Sequence, residues 1–313
     1  MDRHLFSAEH KEQGGIIVMT ALVMVAVVGF MALGVDLGIL LLQKRLLANA
    51  VDAAALAGVQ ELPADPSAAQ TVAYQYGALN QVDAEDLAVA VSTLDNEVAV
   101  SAQRRVRLFF APVLGFDAAV VRAQARARTG PVSGIRGAVP LSVMEQDFVY
   151  GAKYMLKYGS QPVDDVPGGH HGGNFGALAL GGSGANNYRM NLQYGYEGIL
   201  RVGDYIDTET GNMVGPTGDG VRARLNHPDA AKCTFVNAGP HCPQYLIVPI
   251  ISEFTSGGRH TVQILGFAAF FLEEYHAQGA YKGAVVGRFI KRSVDGEIGP
   301  GKDYGLHAYK LVR

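Results

Sequence analysis

The residue types able to do chemistry gather in the second half of the sequence. Asp164, Asp165, His170 and His171 fall within DDVPGGHHGG, a set of metal donors on a Gly-rich stretch. A metal site needs ligands held at fixed spacing, which such a loop does not supply, so a solvated polar loop is expected there. Asp204, Asp207 and Glu209, near Gly211 and Asn212, have the carboxylates for calcium. They lack the order of an EF-hand, and a plain acidic turn is expected. Ser183 sits in GGSGA, without the G-x-S-x-G spacing of a nucleophile elbow. Neither a G-x-x-x-x-G-K-[ST] phosphate loop nor an H-E-x-x-H pair occurs. The reading is of a protein with no catalytic residue, no cofactor and no metal. Cys233 and Cys242 bracket TFVNAGPH. Either they close a disulfide, which would mark an oxidising compartment, or they are two unrelated buried thiols.

The elements that carry these residues begin with an apolar run. Of 313 residues, 26 are Lys or Arg and 29 Asp or Glu, a formal net charge of -3 that argues against coating nucleic acid. Hydrophobic residues make up 49% and charged ones 18%, which excludes disorder. From Ile16 to Val35 no residue is charged and Thr20 is the one clearly polar side chain. As a helix this run spans ~30 Å, the hydrocarbon thickness of a bilayer. A cleaved secretory signal would have a shorter core, a basic start and a small-residue cut site. The start MDRHLFSAEHKEQ mixes both signs, and the A-x-A at Ala48–Ala50 lies beyond Lys44 and Arg45. A buried core helix would seldom be so long and uniform. A retained membrane helix is therefore expected, with orientation left open by basic residues on both sides.

No proline follows until Pro63, so one helix is expected from about Ile16 to Leu62, projecting from the bilayer. Gly34 and Gly38 are four apart, as are Ala50, Ala54 and Gly58. Small residues at this spacing are expected to line one packing face for partner helices; the plainer account is that alanine simply favours helix.

This stretch resembles the N-terminal domain of TadG-like Tad/Flp pilus-assembly proteins. The resemblance is carried by the apolar span, Asp36-Leu37-Gly38, the basic pair Lys44-Arg45, and Val51-Asp52-Ala53-Ala54-Ala55-Leu56-Ala57-Gly58, and is strongest over residues 14–62. It implies pilus subunits, Tad assembly proteins and the membrane as partners. Gly14 or Gly15 would be the leader end of a prepilin, but the fifth mature position would then be Met19 or Thr20 where prepilins usually carry Glu.

Asp65-Pro66 reads as a helix start, and LAVAVSTL followed by Asp95-Asn96 and EVAVSAQ as a β-hairpin whose alternation continues through RVRLFFAPVLG and AVVRAQARART. Arg104, Arg105, Arg107, Arg122, Arg126 and Arg128 are expected on a solvated strand face, without the interleaved aromatics that stack bases. Thr129 to Pro140 reads as a Gly/Pro-rich joint. Beyond it YLIVPII, HTVQILGFAAFFLEEY and GAVVGRFIKR read as strands, and Val262 to Leu272 is too short for a second span.

The expected fold is α+β: a long N-terminal transmembrane, pilin-like helix with a small antiparallel sheet, then a mainly-β exported domain. The expected divisions are a cytoplasmic leader-like segment at 1–15, a pilin-like domain at 16–128, a linker at 129–140 and an extracytoplasmic domain at 141–313. The function expected is a single-pass, membrane-anchored bacterial pilus-assembly protein of the cell envelope acting by helix packing and surface contact. The alternative is a membrane-anchored extracytoplasmic enzyme or ligand-binding protein with its site in residues 141–313.

Overall fold

Good helix formers without an internal proline carry one helix, α1, from Glu9 to Val59. The computed structural model describes residues 9–157, 176–252, 258–279 and 281–312. The chain divides into two compact units, one of Met1–Ala127 with Leu311–Arg313 and one of Arg128–Lys310.

In the first unit α1 is followed by α2 (Pro66–Leu79), β1 (Leu87–Ser92) and β2 (Glu97–Arg107). The carboxylate of Asp65 caps α2, accepting the Ser67 and Ala68 N–H groups at 3.0 and 2.8 Å. β1 and β2 form the expected hairpin, in register from Leu87 opposite Ala102 to Ser92 opposite Glu97. The early part of β3 (Ala118–Ile135) lies beside β2. Small side chains fill the core: Ala50, Val51, Ala54 and Ala55 of α1, Ala69 and Ala73 of α2, and Val98 and Val100 of β2 are buried. A Cβ on Gly58 would stand 2.7 Å from the Ala69 carbonyl oxygen, so the two helices meet nearly backbone to backbone.

Two expectations are corrected here. The alternation of β2 stops at Arg107, because LFFAPVLG has no polar partner positions; Ala111–Leu114 forms a 3-10 turn ended by Gly115 at φ +89°. Thr129 to Ile135 is no joint: it belongs to β3, which runs through the division between the units. Its glycines answer to close neighbours. A Cβ on Gly130 would lie 2.9 Å from Ile298 Cγ2, and one on Gly134 would collide with Glu297.

The second unit adds β4 (Val143–Met144), β5 (Lys153–Lys157), α3 (Ala185–Tyr194), β6 (Leu200–Arg201), β7 (Tyr205–Asp207), α4 (Val214–Leu225), β8 (Tyr245–Ile251), β9 (Thr261–Tyr275), β10 (Val285–Ile290), β11 (Arg292–Val294), β12 (Glu297–Ile298) and β13 (Leu306–Val312), the last of which ends in the first unit. One sheet runs β4-β8-β9-β10-β5, with β7 on β9, and mixes a parallel β4–β8 pair with antiparallel neighbours. The later part of β3 pairs with β12 and β6, and β13 runs parallel to β11. The three apolar runs read as strands are β8, β9 and β10. Leucine, isoleucine and valine side chains fill the core around an aromatic cluster: Phe289 lies 4.1 Å from Phe148 and 5.0 Å from both Tyr154 and Phe270, centroid to centroid. The molecule is thus a long apolar helix followed by mainly β structure, α+β in class.

Candidate functional site

α1 is one helix with two environments. From Gly15 to Val35 almost every side chain is exposed, and among the described residues α1 is the helix long and apolar enough to cross a membrane. Its one polar side chain, Thr20, donates its hydroxyl to the Ile16 carbonyl at 2.8 Å and leaves nothing unsatisfied for lipid. From Leu47 onward the helix buries one side in its own unit; Ala50, within the candidate cut site, is fully enclosed.

The boundary between these environments is marked by Asp36, a buried carboxylate one residue beyond the apolar run. It accepts three backbone N–H groups from the β2–β3 connection: Phe109 at 2.8 Å, Phe110 at 3.0 Å and Ala111 at 2.7 Å. Bonds to an ionised acceptor are about twice as strong as neutral ones, and here they close a loop onto the helix. The Asp of Asp-Leu-Gly therefore has a structural task that its place in a helical run hides. An isolated acid directly after an uncharged span was the available signal. Two turns further, Gln43 Oε1 accepts from Arg104 Nη1 at 3.0 Å. Arg104 thus points toward α1, whereas Arg105, Arg107, Arg122, Arg126 and Arg128 are exposed on alternating strand positions as expected.

The small residues do not form one face. At 3.6 residues per turn, Gly38 and Ala50 point about 120° apart, so the two sets diverge around the helix. Ala50, Ala54 and Gly58 are buried against α2 and the sheet, and are closed to any outside helix. Gly34 and Gly38 are exposed, with open space where a Cβ would stand, and Leu37, Leu41 and Leu42 are exposed beside them. Gly14 and Gly15 lie in the early turns of α1.

The second unit disperses its chemically capable groups. Asp164, Asp165, His170 and His171 lie outside the described residues. Asp204 Oδ2 accepts the Arg201 N–H at 2.8 Å, Asp207 Oδ1 the Thr261 hydroxyl at 2.7 Å, and Glu209 Oε1 the Gly184 N–H at 2.7 Å. Each carboxylate thus has its own task, and no group of three or more metal-donor side chains forms among the described residues. Ser183 stands in the turn before α3, between Gly182 at φ +119° and Gly184 at φ +129°. Cys233 and Cys242 are bonded, with Cα atoms 6.0 Å apart. A groove of about 530 Å³ is lined by Arg136, Tyr194, Arg224, His227 and His241 among others. Burial pulls the Arg224 guanidinium down to about 10, and it donates to the carbonyls of Leu192, Pro243 and Tyr245 at 2.6, 2.9 and 3.2 Å. Its main work is to hold the chain around it.

Residues 14–61 match the family model described as putative Flp pilus-assembly TadE/G-like. The match covers α1 from Gly14 to its end and stops before α2 begins. No curated protein and no solved structure matches the chain.

Proposed function

We propose that this chain, with a TadE/G-like segment at residues 14–61, is a TadG-like, single-pass protein of the bacterial cell membrane that serves pilus assembly through helix packing. Residues 16–35 cross the bilayer, and the chain from Pro63 onward lies outside the cytoplasm. The open face around Gly34 and Gly38 takes the helix of a pilus subunit or assembly partner. Glycine there admits close backbone approach, where van der Waals contact drives association because lipid already satisfies apolar side chains. The observation that carries this reading is the division of α1 itself. Its matched segment has one end built into a folded unit and the other exposed and apolar over the length of a bilayer. The reading involves no reaction.

Protease added to intact spheroplasts tests the topology. Digestion of the chain beyond Pro63, with the span retained in the membrane, is expected. Full protection of that region until the membrane is opened would reverse the orientation, and recovery of the whole chain in the soluble fraction would remove the anchor.

A further inference from the structure

The connection between β2 and β3 presents apolar side chains outward where a soluble surface would hide them. Residues 108–116 read LFFAPVLGF, with no charge. Phe109, Phe110, Val113, Leu114 and Phe116 are all exposed, Val113 to 89% and Phe116 to 65%. A contiguous apolar patch of this kind marks a contact surface.

Its place in the fold says what it contacts. The three N–H groups bonded to Asp36 come from this loop, and Asp36 follows directly on the last residue of the apolar run. The loop is thereby held at the depth where α1 leaves the hydrocarbon. That is the level at which aromatic rings settle in membrane proteins, apolar body inward and rim toward headgroups. The backbone is prepared for it. Val113 N–H bonds to the Phe110 carbonyl at 3.2 Å, Gly115 to Pro112 at 3.0 Å, Phe116 to Ala111 at 3.1 Å, and Leu108 to Asp117 at 3.1 Å. With Asp36 taking three more, nearly all the N–H groups of the loop are bonded, which lowers the cost of leaving water. Arg105 and Arg107 precede the loop on β2 and Arg122 follows it on β3, all exposed, against one exposed acid, Asp117. Such arginines suit lipid phosphates just above the apolar level.

We propose that the loop at residues 108–116 is a second membrane contact, inserting its apolar side chains into the headgroup–acyl boundary of the bilayer that α1 crosses. The proposal rests on the reading of α1 as a membrane span. It gives the helix a fixed rotation. Asp36 and Gly38 point about 160° apart, so the loop rests on lipid on one side of α1 and leaves the Gly34–Gly38 face free on the other.

The chain contains no tryptophan, so one introduced tryptophan reports on one place. Full-length protein carrying Val113→Trp or Phe116→Trp is reconstituted into vesicles of phosphatidylcholine and phosphatidylglycerol that contain lipids brominated at shallow or deep acyl positions. Met24→Trp reports the span. Leu94→Trp, 96% exposed in the turn at the other end of β2, reports water. The expected result is emission at shorter wavelength for both loop variants than for Leu94→Trp, with severalfold stronger quenching by shallow bromines. Loop variants that behave like Leu94→Trp while Met24→Trp is quenched overturn the proposal and leave the span standing. Shielded emission that no brominated lipid quenches means a protein partner covers the loop, and likewise overturns it. An unquenched Met24→Trp removes the span, and the proposal with it.

Discussion

The two units solve the same packing problem with opposite materials. The first fills its core with alanine, glycine and valine, so that α1, α2 and the sheet approach nearly backbone to backbone. The second fills its core with larger side chains, leucine, isoleucine and valine packed around an aromatic cluster at Phe289. A small-residue core is hurt most by added atoms, and a core of large side chains by removed ones. The difference separates roles as well as materials. The first unit spends little side-chain volume inward and keeps a long helix exposed for use, while the second is mainly β with two short helices.

The comparison breaks most readily at Phe289. Phe289→Ala removes a fully buried ring and should cost about 3–5 kcal/mol. Limited proteolysis should then release fragments from residues 128–310 while residues 64–127 stay resistant. Equal loss of resistance in both would show that the units do not stand apart.

In the other core the damaging change is an addition. Ala54→Leu places three carbons where Ala54 has no exposed surface, and should cost about 1–3 kcal/mol by overpacking. Thermal unfolding of the detergent-solubilised chain should show it. An unchanged midpoint would mean that Ala54 faces outward.

A smaller effect is expected at Asp303. The hydrogen bond from His307 lowers its carboxyl below the ordinary 3.8, so the folded state holds the anion more firmly than the unfolded chain does. That stability is complete above pH 3.8 and is lost as the pH falls through the lower folded value, because the unfolded chain takes up the proton first. The group is half exposed, so the contribution is under about 1 kcal/mol. Asp303→Asn should flatten the acid limb of the unfolding profile; an unaltered limb would show that the His307 contact is not made.

What the sequence made legible follows from the range of the forces involved. The continuous α1, the Asp65 cap and the β1–β2 hairpin are local: propensity, one capping oxygen and strict alternation specify them. The buried strands β8 to β10 announce themselves as apolar runs. The helices α3 and α4 do not, since Gly215, Gly218 and Gly220 weaken the second intrinsically and contacts with distant residues such as Tyr275 and Leu192 set its glycines. The supposed joint failed over residues 129–135 for a related reason, Gly130 and Gly134 being demanded by β12 far along the chain. In the candidate site, the span and its Gly34–Gly38 pair were readable. That Ala50, Ala54 and Gly58 point elsewhere follows from helical phase, and that they are covered follows only from tertiary packing. The bonds of Asp36 to residues 109–111 cross more than seventy positions, and the lone acid after the span gives no sign of which residues it binds.

The central claim, that the open side of α1 is the packing surface for pilus partners, is tested most directly by Gly38→Leu. A Cβ at position 38 would meet nothing within 4 Å and leucine favours helix, so membrane insertion and the unfolding midpoint should match those of the unaltered protein. Co-purification with pilus components and the yield of sheared fibres should fall together. Normal fibres from a normally inserted Gly38→Leu chain would contradict the account.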